Sequence, residues 1–282
     1  MSTRREIITN GLASMAGLVL LPAVNSFAND RNRYCANPKK NLILRFALAS
    51  DIHFGQPGTE YVSTTGHMMD WLNIDHAKNH LDFVIINGDL VHDRPDMLAT
   101  VKSGYLDKLN IPYYTVPGNH DLANATVWRK AFGYADNYTK EQGDIGFIMA
   151  NTADTKGTSY CPDLVFLKTA LDKFWDKKIV FVAFHIAPVK WLREDPSMDC
   201  PEVVKLLHAY PNVKAAFHGH DHYMDGVRYT DHLPHFFDSH IGGDWGTAYK
   251  GYRIVEVSED HTLFTYQVNA SKNPILNSDK IG

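Results

Sequence analysis

Apolar residues fall in short blocks separated by turn-forming clusters, and the blocks alternate in period. "LILRFALAS" (42–50) reads as a buried strand, "MMDWLNIDHAKN" (68–79) as a helix, and "LDFVIING" (81–88) as a second strand. A helix is expected over 96–109, a strand at "IPYYTV" (111–116), and a helix around 125–132. "IGFIMAN" (145–151) and "KIVFVAFH" (178–185) read as strands flanking the amphipathic helix "DLVFLKTALDKFW" (163–175). A short helix over 200–210 and a strand at "NVKAAFHGH" (212–220) follow. Thereafter "GVRYT", "LPHFFDS", "GYRIVEVSE" and "HTLFTYQV" look purely β. Strands joined by crossover helices imply an α/β fold with parallel or mixed sheet covered on both faces. No linker divides the chain, so residues 29–282 read as one domain.

Polar residues collect where the strands stop. The first strand runs out into Asp51-Ile52-His53, the second into Asn87-Gly88-Asp89, and the third into Gly118-Asn119-His120-Asp121. The fifth ends at His185, and the sixth at Gly219-His220-Asp221-His222. In open α/β sheets the loops at the carboxyl ends of the strands line the ligand crevice. Singly, Asp51 or Asp89 would serve as a cap or turn residue and His185 as a core histidine. Five such clusters in order are not turn chemistry. Carboxylate, imidazole and amide oxygen without thiolate suit Mn, Fe, Zn or Co. Seven candidate ligands exceed one tetrahedral ion but are enough for two ions sharing a carboxylate.

Asp51-x-His53, Gly88-Asp89, Gly118-Asn119-His120-Asp121, His185 and Gly219-His220-x-His222 resemble the signature of the calcineurin-like metallophosphoesterase superfamily. The resemblance covers roughly residues 42–240 and implies a four-layer α/β/β/α sandwich of two mixed sheets. By the same resemblance, Asp51, His53 and His222 would hold a first metal, Asn119, His185 and His220 a second, and Asp89 would bridge them. His120 would serve the leaving-group oxygen, with Asp121 orienting its ring. The implied activity is hydrolysis of phosphomonoesters or phosphodiesters by metal-activated hydroxide. A nuclease or nucleotide pyrophosphohydrolase on the same scaffold is the alternative, and a non-catalytic binding module is a further one.

Departures narrow the subclass. Purple acid phosphatases carry a tyrosine three residues after the bridging aspartate, where this chain has His92. Protein Ser/Thr phosphatases carry Gly-Asp-x-x-Asp-Arg-Gly, whereas here an extra residue precedes Asp93-Arg94 and Pro95 replaces the glycine. "YPNVKAAFHGHDH" is more similar to small bacterial enzymes grouped with class III cyclic-nucleotide phosphodiesterases. Arg94 is read either as a phosphate contact or as part of a salt-bridged helix start. The 186–200 loop, with Lys190, Trp191 and Arg193, is read either as a substrate lid or as a solvated loop, and His240 as a residue that could approach the site.

The first 28 residues form a segment of their own. Arg4-Arg5, then Ile7-Ile8, a Gly- and Ala-rich apolar stretch and Ser26-x-Ala28 resemble a twin-arginine export signal, with an ordinary secretory signal as the alternative. That apolar stretch is too short for a permanent anchor. The expected location is therefore periplasmic or secreted. The formal net charge of −4 gives no basic face for long nucleic acid, so the expected partner is a small phosphorylated substrate. Three cysteines exclude a disulfide scaffold but allow one bridge, with Cys161–Cys200 as the preferred pair.

Overall fold

The computed structural model describes residues 41–270, so the segment assigned to export lies outside the described residues. Two mixed sheets lie face to face with helices on the outside of each. The first sheet has the order β11-β10-β1-β2-β3, where β1 is Leu42–Ala49, β2 Phe83–Asn87, β3 Tyr113–Val116, β10 Gly251–Ser258 and β11 Leu263–Asn269. The second has the order β4-β5-β6-β7-β9-β8. Here β4 is Tyr138–Gln142, β5 Ile145–Ala150, β6 Ile179–Phe184, β7 Val213–His218, β8 Val227–Thr230 and β9 Leu233–Phe237. Strands β1, β2 and β3 run parallel, as do β5, β6, β7 and β9. Their carboxyl ends therefore deliver loops to one edge of the sandwich.

Side-chain alternation explains the layering. Leu44, Phe46 and Leu48 of β1 enter the core between the sheets, while Ala47 and Ala49 face the helices. Phe83 and Ile85 of β2 likewise point inward, and Val84 and Ile86 outward. From the other sheet, Phe147, Phe181 and Phe217 meet Phe46 with ring centroids 5.4–6.1 Å apart. Helices α1 (Tyr61–Asn79), α2 (Leu98–Gly104) and α3 (Ala125–Phe132) contribute to the core outside the first sheet. Helices α4 (Leu164–Lys173) and α5 (Pro201–His208) cover the second. This is the expected four-layer arrangement.

Three elements differ from the sequence reading. Helix α1 starts at Tyr61 rather than 68, because its first turns carry the polar run "YVSTTGH" with little apolar signal. The expected 96–109 helix is instead a 3₁₀ turn, the short α2 and a second 3₁₀ turn, with α2 stopping at Gly104. Strand β4, "YTKEQ", was not expected; it is a mostly polar edge strand that pairs only with β5. The Cys161–Cys200 bridge is present and ties the approach to α4 to the start of α5. Among the described residues, no helix is long and apolar enough to cross a membrane.

Candidate metal centre

The site is assembled from strand ends held together through their backbones. Asp51 N–H donates to Gly88 O (3.0 Å), His53 N–H to Asp89 O (2.9 Å), and Gly219 N–H to His185 O (3.0 Å). Asp51, His53, Asp89 and His220 all have positive φ, between 48° and 66°. That region costs a non-glycine residue roughly 1–3 kcal/mol, a strain that collects at functional sites. Asp and His tolerate it better than most residues, so the chemistry and the backbone select the same side chains. Gly88 (φ 88°) is needed for its conformation, but Gly118 is needed for space. A Cβ at Gly118 would overlap the backbone nitrogen of Asp89.

The side chains converge in three groups: one is His53, His92 and His120, and the other two meet around Asp89. Asp51, His53 and His222 form one, with His222 Nε2 3.0 Å from Asp51 Oδ1 and 3.1 Å from His53 Nε2. Asp89, His185 and His220 form the other, with His185 Nε2 3.2 Å from Asp89 Oδ2. That same Asp89 oxygen is 3.6 Å from His53 Nε2, so Asp89 stands between the groups. His185 Nδ1 donates to Asn87 O (2.6 Å), which leaves the Nε2 lone pair facing the carboxylates. Asn119 Oδ1 and His185 Nε2 are buried and lack hydrogen-bond partners. Two buried acceptors without partners, one of them 3.2 Å from the Asp89 carboxylate, are a poor way to stabilise a fold and a good way to hold cations. The donor set therefore fits metal.

The electrostatics agree. Burial pushes the Asp51 carboxyl up, but His222 and His185 outweigh it and hold it well below its usual range. Burial likewise opposes ionisation of Asp89, and His185 and His53 more than compensate. For His185, burial disfavours the charge, yet Asp89 and Asp51 raise it to about 10, so something positive is called for at this position. His220 is pushed down to about 4, chiefly by burial, and so offers a neutral imidazole.

The residues around His120 need one correction. Asp121 does not orient His120. It is fully buried and accepts from the backbone N–H groups of Val91 (3.0 Å) and Gly118 (2.8 Å), pinning the two ligand loops together. Burial and the Asp89 charge raise it to about 7. The partner of His120 Nδ1 is Asp93 Oδ1 at 2.9 Å. The reason is directional: Asp121 turns inward toward the 88–91 loop, whereas Asp93, whose own N–H donates to His120 O (2.9 Å), lies beside the exposed edge of the imidazole.

Other residues resolve as follows. Arg94 forms an exposed two-point ion pair with Asp96 at a 3₁₀ start, which is the salt-bridged reading. The 186–200 loop is anchored on the β8–β9 hairpin: Trp191 Nε1 donates to Tyr229 O, and Asp195 pairs with Arg228. His240 does approach the site; it is fully buried, with its ring 4.6 Å from that of His222. Asp238-Ser239-His240 ends β9 much as Asp51-Ile52-His53 ends β1, and that parallel is the sequence signal. Trp245 lies flat on His222 (4.5 Å, 10°) and 5.0 Å from His53, a placement with no local sequence cue. His92 touches His53 and stacks on His120, and burial with those two neighbours holds it below its ordinary value.

A sandwich with histidines, carboxylates and an asparagine converging at its strand ends defines a metal-dependent hydrolase centre. The calcineurin-like phosphoesterase family model matches residues 44–224, and the chain belongs to that family. It is 25% identical over 213 residues to a 3',5'-cyclic-nucleotide phosphodiesterase of Nostoc sp., covering 71% of this chain and 79% of that protein. It is 24% identical over 262 residues to the serine/threonine-protein phosphatase CPPED1 of Rattus norvegicus, covering 82% of this chain and 81% of the relative. Among solved structures, a dimetal phosphatase from Danio rerio superposes with a TM-score of 0.63 at 11% identity, covering 82% of this chain and all of that one. The protein is a metal-dependent hydrolase of phosphoric esters.

Proposed function

We propose that the protein is an exported dinuclear phosphoesterase acting on small phosphodiesters or phosphomonoesters. The observation that carries this reading is that Asp89, a member of the group with His185 and His220, also lies 3.6 Å from His53 of the group with Asp51 and His222. Asp51, His53 and His222 form one ion's shell, and Asn119, His185 and His220 the other's, with Asp89 common to both. Two divalent ions so held supply Lewis-acid charge to the phosphoryl oxygens and lower the pKa of a shared water. His120, partly exposed, held by Asp93 and with its ring 5.0 Å from that of His53, can give a proton to the departing oxygen. The likeness to the Nostoc phosphodiesterase favours a diester, and the net negative charge speaks against long polynucleotides.

The test is turnover by purified, metal-analysed protein of aryl monoesters, aryl diesters, cyclic nucleotides and nucleoside diphosphate sugars. His120→Ala should lower turnover of the best substrate by ~10²-fold or more with bound metal unchanged. Equal activity in variant and parent would remove His120 from the reaction. Export is supported by the Arg4-Arg5 segment and by the Cys161–Cys200 bridge, since structural disulfides persist mainly in oxidising compartments. Changing Arg4 and Arg5 to lysine should leave the precursor in the cytoplasm; undiminished secretion would argue for the ordinary pathway.

A further inference from the structure

His92 lies outside the seven ligands, yet it meets both halves of the site's machinery. The 51–54 and 88–92 loops are joined backbone to backbone: Phe54 N–H donates to Leu90 O (3.1 Å) and His92 N–H to Phe54 O (3.0 Å). That pairing brings His92 Nδ1 to 3.0 Å from His53 Nδ1. On its other side the His92 ring lies flat against His120, with centroids 4.7 Å apart and planes within 10°. The next residue, Asp93, takes the His120 Nδ1 proton.

Hydrogen-bond direction follows from these positions. His53 Nε2 faces Asp51, Asp89 and His222, where the ligand lone pair belongs. Its proton must then sit on Nδ1, where the neighbouring acceptor is His92 Nδ1. Ligating histidines usually give this proton to a carboxylate, carbonyl or water, and such partners fix the tautomer and the ring angle. Here a second imidazole fills that position, with its own proton on Nε2.

We propose that His92 is a positioning residue: it accepts the Nδ1 proton of His53, fixing that ligand's tautomer, and its plane supports the ring of His120. The proposal rests on the metal reading above. It also separates two duties by chemistry, since accepting a proton needs a polar atom and supporting a ring needs a flat face.

The test compares His92→Phe, which keeps the face and removes the acceptor, with His92→Asn, whose side-chain oxygen can accept at about the Nδ1 position but offers no face. Metal affinity is read by chelator competition on full-length protein loaded with zinc alone, and circular dichroism of the metal-free proteins reports folding. His92→Phe should loosen one of the two metal equivalents by roughly 10–100-fold. His92→Asn should hold that equivalent nearly as tightly as the parent, while turning over substrate more slowly because His120 has lost its support. Parent-like affinity in His92→Phe, or equal weakening in both variants, would overturn the proposal. If the parent itself bound no stoichiometric metal, the functional reading would fail instead.

Discussion

At the scale of single residues, two aspartates in the loops after β2 and β3, Asp93 and Asp121, do different work. Asp93 touches the His120 ring, and Asp121 touches only backbone. Asp93→Asn should therefore lower turnover roughly tenfold or more with thermal stability nearly unchanged, because it disturbs only the ring's partner. Asp121→Asn should lower the melting temperature and weaken metal binding, because an amide NH2 replaces one of the two oxygens that accept from the Val91 and Gly118 N–H groups. Paired activity and melting measurements check this; the reverse pattern would return the orienting role to Asp121. The clustering of Asp51, His53, Asp89, His185, His220 and His222 was legible because each belongs to a polar group that follows an apolar block. Asp121 was misread because Asn119-His120-Asp121 looks like one functional unit, and adjacency along the chain does not say which way a side chain turns.

At the scale of elements, β6, β7, β8 and β9 share a buried chain of hydrogen bonds. His218 Nδ1 donates to Phe184 O, His235 Nδ1 donates to His218 Nε2 (2.9 Å), and Thr230 lies 2.9 Å from His235 Nε2. Burial disfavours a charge on either imidazole, and a second proton on His218, at Nε2, would face the His235 Nδ1–H. Burial, with a smaller effect of His208, pushes His235 down to about 4. An unfolded histidine takes its proton near 6.5, so the contribution of His235 to stability is complete above that pH and is lost as pH falls from 6.5 toward 4. Between pH 7.5 and 5 the loss should be about 2 kcal/mol. Urea unfolding at both pH values should show a shallower fall in His235→Gln, and identical slopes would contradict the argument. Elements with nearly continuous apolar blocks, such as β1 and β6, were evident in the sequence. The polar edge strand β4 was not, because its pairing with β5 rather than its own pattern makes it a strand.

At the scale of the whole molecule, two sheets that bury phenylalanines between them leave their carboxyl ends to carry charge that the core could not tolerate. The parallel runs β1-β2-β3 and β5-β6-β7-β9 bring residues as distant as Asp51 and His222 into contact. The layering could be read from the order of the blocks, but the closeness of Trp245 and His240 to the ligands could not, since it depends on how the loop after β9 folds back. There, Ile241 and Gly242 donate their N–H groups to Ser50 O and Asp51 O. Metal analysis of purified protein beside Asp89→Asn, with turnover of an activated aryl phosphodiester measured on the same samples, is the most direct check. About two divalent transition-metal ions per chain are expected in the parent, with both metal and turnover lost in the variant. Full activity without stoichiometric metal, or an Asp89→Asn protein that keeps both ions, would contradict the shared-carboxylate centre.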